Sequence, residues 1–517
     1  MKTSLPVRSL FALPFLLAAA LIARPDSVSA ESATPGYNNK IPPAILTPDR
    51  VESSIGTLEF FDGFPSKETA QRLHENLLRS RATQAFLDFV PAASLEALRE
   101  GMLSMNLKDA NQCLLFDELM DSNSLFLTGN TDTVYASCFL DLERDGPTVV
   151  EIPPGAGPGT VNDAFFRFVV DMGSPGPDRG KGGKYLILPP GYEGEVPEGY
   201  FVAKSPSYVN WVILRGFLKD GKPDAAAAMW RDGLKVYPLD KAKSPPAMEF
   251  VSGTGSTVNT IHANDFTFLE EVNRVIQREP VEFINPELRG LLTSIGIQKG
   301  KPFAPDADEK KALRDGVALG NATARAIAFA PRSETVHIYG PDSAWSAAFD
   351  GGNYQWLIDE GKGGRNLDAR TMFFYLATVN TPAMVLRMVG VGSQYAIASR
   401  DSAGEYLDGS DTYKLTLPAN VPARDFWSIV VYDPQTRSML QTDQPYPSKN
   451  NERNPDLVTN SDGSTDIYFG PTAPEGKEKN WIQTVPGKGW FLILRLYGPL
   501  ETWFDQSWRP SEIEKMG

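Results

Sequence analysis

The sequence predicts a mainly β fold with α, in the order β-rich domain, helical connector, second β-rich domain. Three observations carry this. Between Ser124 and Leu218 seven short runs follow one another: "SLFLT", "TVYASCFLDL", "PTVVEIPP", "AFFRFVVDMG", "KYLILPPGY", "YFVAKS" and "YVNWVILRGFL". Clusters of Gly, Pro, Asp and Asn separate them, the spacing of an antiparallel sandwich or barrel. The period then becomes helical in "DAAAAMWRDGLKVY", "DFTFLEEVNRVIQ", "NPELRGLLTSIGI" and "DEKKALRDGVALGNATARAIAFA". From Gly392 short β runs return as "SQYAIASRD", "YKLTLP", "FWSIVVYD", "STDIYFG" and "GWFLILRLYG".

The elements follow in chain order. Lys2 and Arg8 precede an apolar run from Phe11 to Ala23, and Val28-Ser29-Ala30 supplies the small residues of a cleavage site. Residues 1–30 are therefore expected to be a secretory signal peptide, the run being short for the ~20 residues of a membrane span. Residues 31–65, with many Pro, Ser and Gly, read as a flexible leader. Ser66 caps a helix carrying Leu73, Leu77 and Phe86 on its apolar side, and Pro91 ends it. Ser94 starts another through Leu95, Leu98 and Met102. With these leading helices the first β-rich domain spans 66–220. The connector spans 221–390, where "ARTMFFYLATVN" adds a helix stopped by Pro382, and the last domain spans 391–517.

With 517 residues, 42% hydrophobic and 22% charged, the chain can bury two or three cores. A net charge of −14 argues against nucleic acid and anionic membranes as partners. No second apolar run approaches spanning length, so a periplasmic or secreted protein, cleaved near Ala30, is expected. In that oxidising compartment Cys113 and Cys138 either form one disulfide or remain two separate buried thiols. No CxxC motif is present.

Several blocks carry a family resemblance. In the amino-terminal half they are "GNTDTVYASCFLDL" and "GGKYLILPPGYEGEVPEGYFVAKSPSYVNWVILRGF". In the carboxy-terminal half they are "SRDSAGEYLDGSDTYKLTLP", "FWSIVVYDPQT", "DGSTDIYFGPTAPEG", "NWIQTVPGKGWFLILRLYGP" and a final W-x-P. Their order resembles the bacterial proteins that pair the domain-of-unknown-function families 1254 and 1214. The resemblance implies two antiparallel β-sandwich domains, the second jelly-roll-like, joined by helices, and it implies no reaction. One block departs from it: where the family often has an Asn-Arg-Tyr-Ser-like run, this chain has "TRSMLQTDQPYPSKNN".

Motifs of known chemistry are scarce. The histidines are His74, His262 and His337, too few and too scattered for a zinc site. "IHANDFTFLEE" reads as a helix start, with Asn264 or Asp265 as the cap, rather than a metal site. There is no G-x-S-x-G elbow. "RGKGGK" lacks the spacing of a phosphate loop, and "NSDGSTD" lacks the glutamate of a calcium loop. Neither a metal nor a cofactor is expected.

What remains are arginines on apolar strand faces. Trp211, Ile213, Arg215 and Phe217 share a face; so do Phe491, Ile493, Arg495 and Tyr497; Arg167 aligns with Val169 and Asp171. A guanidinium in such surroundings must be paired structurally or grip a ligand. Arg167, Arg215 and Asp171 are the candidate ligand groups. In "GNTDTVYASCFLDL" one face carries Asn130, Asp132 and then the apolar Val134, Ala136, Cys138 and Leu140. Asn130 and Asp132 read as entry-turn groups. The other face offers Tyr135 between Thr133 and Ser137, either lining a polar pocket or buried and hydrogen-bonded. Tyr135, with Asp132, is the candidate catalytic pair. The expectation is an exported protein handling a small polar or anionic ligand, carbohydrate included, in a cleft of the amino-terminal β domain. A periplasmic hydrolase or lyase using a Tyr/Asp/Arg site is the second reading. A structural or assembly protein is the third, since jelly rolls often form homo-oligomers.

Overall fold

A computed structural model describes residues 41–517. The expected signal peptide and the first part of the expected leader lie outside the described residues. The chain divides into a small unit ending at His74 and a large one from Glu75 to Gly517. The small unit holds strands β1 (Arg50–Ser53), β2 (Gly56–Phe61) and β3 (Phe64–Pro65), paired antiparallel in that order. An ordered sheet thus stands where the sequence suggested a flexible leader. Its tight turns use Gly56 and Gly63, whose φ angles of 103° and 85° other residues avoid.

Helix α1 (Lys67–Ser104) begins with Ser66 as expected, its Oγ accepting from the Thr69 amide at 3.1 Å. Pro91 does not end it; the helix runs through. Pro91 lacks the N–H that would bond the Leu87 carbonyl, and the Thr371 hydroxyl donates to that carbonyl at 3.3 Å instead. Phe86, Phe89, Val90, Ala92 and Ala93 around the proline are fully buried, and this packing offsets the missing bond.

The first sandwich contains β4 (Gln112–Leu115), β5 (Thr133–Asp141), α2 (Leu142–Asp145), β6 (Thr148–Ile152), β7 (Gly159–Asp163), β8 (Phe168–Met172), β9 (Gly183–Leu188), β10 (Phe201–Lys204), β11 (Val209–Phe217), α3 (Asp224–Gly233), β12 (Lys235–Pro238) and β13 (Glu249–Ser252). Its sheets run β13-β4-β5-β11-β7-β8 and β10-β9-β6-β12. Val134, Ala136, Cys138 and Leu140 of β5 pack with Val150, Ile152, Tyr185 and Ile187 of the opposite sheet. The boundary read near residue 220 falls too early, because β12 pairs with β6 and β13 with β4. Four-residue strands carry too little period to stand out beside the helical run before them. Edge strands β10 and β13 are parallel to their neighbours, a departure from the all-antiparallel expectation.

Helices α4 (Thr267–Arg278), α5 (Pro286–Thr293) and α6 (Ala307–Phe329), the short β14 (Ser346–Ala347), α7 (Leu367–Leu376) and α8 (Pro382–Val385) form the connector. Asp306 and Glu309 close a capping box on α6, and the Asn366 side chain caps α7. The second sandwich contains β15 (Ser393–Ala398), β16 (Tyr413–Leu417), β17 (Ala423–Tyr432), β18 (Ser448–Asn450), β19 (Thr465–Gly470), β20 (Trp481–Gln483), β21 (Phe491–Pro499), α9 (Glu501–Phe504) and β22 (Glu514–Lys515). Its sheets run β14-β15-β21-β17-β18 and β20-β19-β16-β22. Leu492, Leu494 and Leu496 of β21 face Leu415, Ile467 and Phe469 across its core.

A third core joins the inner sheets of the two sandwiches to the helices between them. Tyr135, Trp211 and Ile213 from the outer face of the first sandwich share it with Val430, Tyr432, Phe491 and Ile493 from the second. Residues of α1, α4, α6 and α7 fill it from the side. Both large sheets are therefore covered on both faces, as their doubly apolar central strands require.

Candidate functional site: a cationic cavity between the sandwiches

The segment Gly129–Asp132 leads into β5 and ties the two sandwiches together. A Cβ on Gly129 would collide with the Met120 sulfur, so the position takes glycine, and its carbonyl accepts from the Tyr432 hydroxyl at 2.7 Å. Asn130 Oδ1 accepts from the Asp132 amide at 3.0 Å, the entry turn expected from the sequence. Thr131 Oγ1 lies 2.6 Å from Ser448 Oγ. Asp132 is fully buried; its Oδ2 accepts from Ser428 at 2.5 Å and Tyr497 at 3.0 Å, and its Oδ1 accepts from Asn450 Nδ2 at 3.2 Å. Burial, with the Asp132 charge beside it, holds the Tyr497 phenol well above its ordinary range. Asp132 is thus enclosed by donors of the second sandwich and does not line the cavity that Tyr135 and Arg215 share.

That cavity, of about 50 Å³, lies where β5 and β11 of one sandwich meet β15 and β21 of the other, with α7 alongside. Its polar groups are Asn130, Tyr135, Arg215, Tyr395 and Arg495; the rest of the wall is mostly apolar. Tyr135 is 5% exposed, and its hydroxyl accepts from Asn130 Nδ2. It is at once a buried, hydrogen-bonded tyrosine and a cavity-lining one. Arg215 is 7% exposed and packs over the Tyr135 ring with its guanidinium 5.5 Å from the centroid. Among the described residues no hydrogen bond or ion pair engages that guanidinium.

Arg495 is 5% exposed; its Nη2 donates to the Thr128 carbonyl at 2.6 Å and to Tyr432 at 2.7 Å. Its Nε and the Tyr395 hydroxyl are buried with no hydrogen-bond partner. Two guanidiniums therefore face one small cavity, near enough to repel each other, with no carboxylate paired to either among the described residues. Thr128 and Val379, both on the cavity wall, take φ of 40° and 72°, a region that β-branched residues rarely enter.

The other sequence candidates separate from this group. Arg167 is not aligned with Asp171: the β7–β8 register shifts between Val161 and Asn162, and the irregularity breaks the simple alternation. Arg167 instead pairs with Asp163 at 2.5 Å and donates to the Phe283 carbonyl at 3.0 Å. Asp171 lies in an adjoining space of about 20 Å³ that Arg215 also borders, and Thr381 Oγ1 donates to it at 2.6 Å. Burial raises its carboxyl to about 6. Cys113 and Cys138 are free, buried thiols. The β4–β5 register, Leu114 opposite Ser137, makes them cross-strand neighbours. His262 is buried: Nδ1 faces the Ala263 carbonyl at 2.9 Å and Nε2 lies 3.3 Å from Arg437. Burial, and then the Arg437 charge, push it down to about 3, so it is neutral and structural. No cluster of His, Cys, Asp or Glu among the described residues could hold a metal ion.

Strand period puts Arg495 on its observed face but not in the site, and Asn130 in its entry turn but not on the cavity wall; nothing in the sequence marks Tyr395 or the donors around Asp132. The divergent segment "TRSMLQTDQPYPSKNN" proves structural: it supplies the buried Arg437, Ser448 and Asn450, and Arg453 follows it to donate to Ser448 at 2.5 Å.

Two β-sandwiches around a helical layer, enclosing a cationic cavity, define the class of protein. Residues 110–238 match the protein of unknown function family DUF1254, and residues 392–501 match the protein of unknown function family DUF1214. The chain carries both domains, in the order its sequence blocks resemble. The crystal structure of the VPA0106 protein from Vibrio parahaemolyticus is similar, with a TM-score of 0.52 and 19% identity over 85% of this chain and 100% of that one. An uncharacterized protein from Burkholderia cenocepacia aligns with a TM-score of 0.38 and 12% identity, over 85% of this chain and 95% of that one. No curated protein matches. No helix among the described residues is long and apolar enough to cross a membrane.

Proposed function

We propose that this protein binds a small oxyanion, a carboxylate or phosphate, between Arg215 and Arg495. The observation that carries the reading is the pair of buried guanidiniums on one cavity without a carboxylate partner. A buried charge left unpaired costs several kcal/mol, and an anion offering two acceptors removes that cost while using the free fork of Arg215 and the donors that Thr128 and Tyr432 leave open on Arg495. The site belongs to both sandwiches rather than to a cleft of the first alone. Export to the periplasm, with cleavage near Ala30, forms part of the same reading.

Isothermal titration of the purified protein with octanoate, benzoate, phosphate and glucose tests it. At least one anion binds and glucose does not. Arg215→Ala and Arg495→Ala each weaken that anion roughly 10- to 100-fold, the range expected for a charged hydrogen bond. Arg167→Ala, outside the cavity, leaves it unchanged. Absence of binding by every anion, or binding that survives both cavity substitutions, refutes the reading.

A further inference from the structure

Resting on that reading, we infer that the ligand is an elongated amphipathic carboxylate. Its head sits in the cationic cavity and its apolar body passes through a neck into a larger outer cleft. The inner cavity, at about 50 Å³, holds little more than a head group; ligand sites that enclose a whole small molecule measure ~300–1,000 Å³. An outer cleft of about 350 Å³ adjoins it. The two share Met372, Leu376 and Ile397.

The shared residues fall on two continuous tracks. Along β15 and its extension, alternate side chains share a face: Tyr395 lines the inner cavity, Ile397 both spaces, and Ser399 the outer cleft. From Tyr395 to Ser399 this track covers ~13 Å of extended chain. On α7, Met372 and Leu376 stand one turn apart on one helix face and line both spaces. The composition of the wall changes along this path. Its inner end holds the arginines and tyrosines, the three residues common to both spaces are apolar, and its outer end carries His337, Asp342, Ser399 and Arg400. A charged head followed by an apolar body fits that order; a free phosphate or a sugar would leave the neck unused.

The test titrates the wild-type protein with straight-chain carboxylates from acetate to decanoate. Affinity should rise about two- to fourfold per added methylene until the chain reaches the polar outer cleft. A second arm uses Ser399→Cys, which fluorescein maleimide labels selectively because Cys113 and Cys138 are buried. The labelled protein should bind decanoate at least tenfold more weakly than the same unlabelled variant, with acetate affinity unchanged. Arg215-dependent binding that is insensitive to both chain length and the label overturns the elongated-ligand inference and leaves the oxyanion reading standing. Failure of every carboxylate to bind, or binding indifferent to Arg215→Ala, overturns the carboxylate site itself.

Discussion

At the scale of single residues the most informative side chain is Asp132. It sits beside Tyr135 in sequence and looks like half of a catalytic pair, yet Ser428, Asn450 and Tyr497 occupy its oxygens. Asp132→Ala would leave those three donors unpaired in the interior. Loss of about 2–4 kcal/mol in urea denaturation is expected, with carboxylate affinity of the folded variant within a few-fold of wild type; a large selective loss of affinity would make Asp132 a ligand group after all. Asp171 behaves differently. Its folded carboxyl is raised to about 6 by burial, above its ordinary 3.8, so the native state holds the proton more tightly than the unfolded chain. Between those values stability therefore falls as pH rises, by up to ~3 kcal/mol in total. Asp171→Asn should make the stability profile between pH 4 and 6 shallower, the raised carboxyls of Glu271 and Glu279 keeping part of the slope, and an unchanged slope there would assign it to those groups alone.

At the scale of elements, the strands were readable face by face because a half-buried or doubly buried strand must alternate. Val134, Ala136, Cys138 and Leu140 enter one core and Tyr135 the other, as the sequence indicates. The reading failed where a local rule was overridden from a distance. The irregularity after Val161 moved Arg167 away from Asp171, and the Thr371 hydroxyl, 284 positions from the Leu87 carbonyl it bonds, let Pro91 sit inside α1. The convergence of Arg215 and Arg495 was not legible, because strand period gives a face but not the partner that covers it. The α1 case yields a double-mutant prediction. Thr371→Val should cost about 1 kcal/mol in the native background by stranding the Leu87 carbonyl. In a Pro91→Ala background, where the alanine N–H takes that carbonyl, the same substitution should cost close to nothing. Equal costs in both backgrounds would mean that Thr371 acts by packing alone.

At the scale of the whole molecule, the two sandwiches are not independent modules. Tyr395, Val430, Tyr432, Phe491 and Ile493 of the second are buried in the core that also holds Tyr135, Trp211 and Ile213 of the first. Exposing five such side chains costs on the order of 10 kcal/mol, comparable with the ~5–15 kcal/mol that holds an entire domain folded. Separation would also uncover Asp132 and its donors. The large unit should therefore unfold in one step, its calorimetric and van't Hoff enthalpies agreeing. Two resolved transitions in calorimetry would show that the shared core does not couple the sandwiches. The cavity adds a further consequence, because its two arginines come from different sandwiches and the proposed anion between them would bind only while both are folded and docked. Saturating carboxylate should raise the temperature of that one transition by the linkage RT ln(1 + [L]/Kd). It should do so without splitting the transition, and Arg215→Ala should abolish the shift while keeping a single transition. A carboxylate that stabilises only one part of a split transition would place the site within a single sandwich instead.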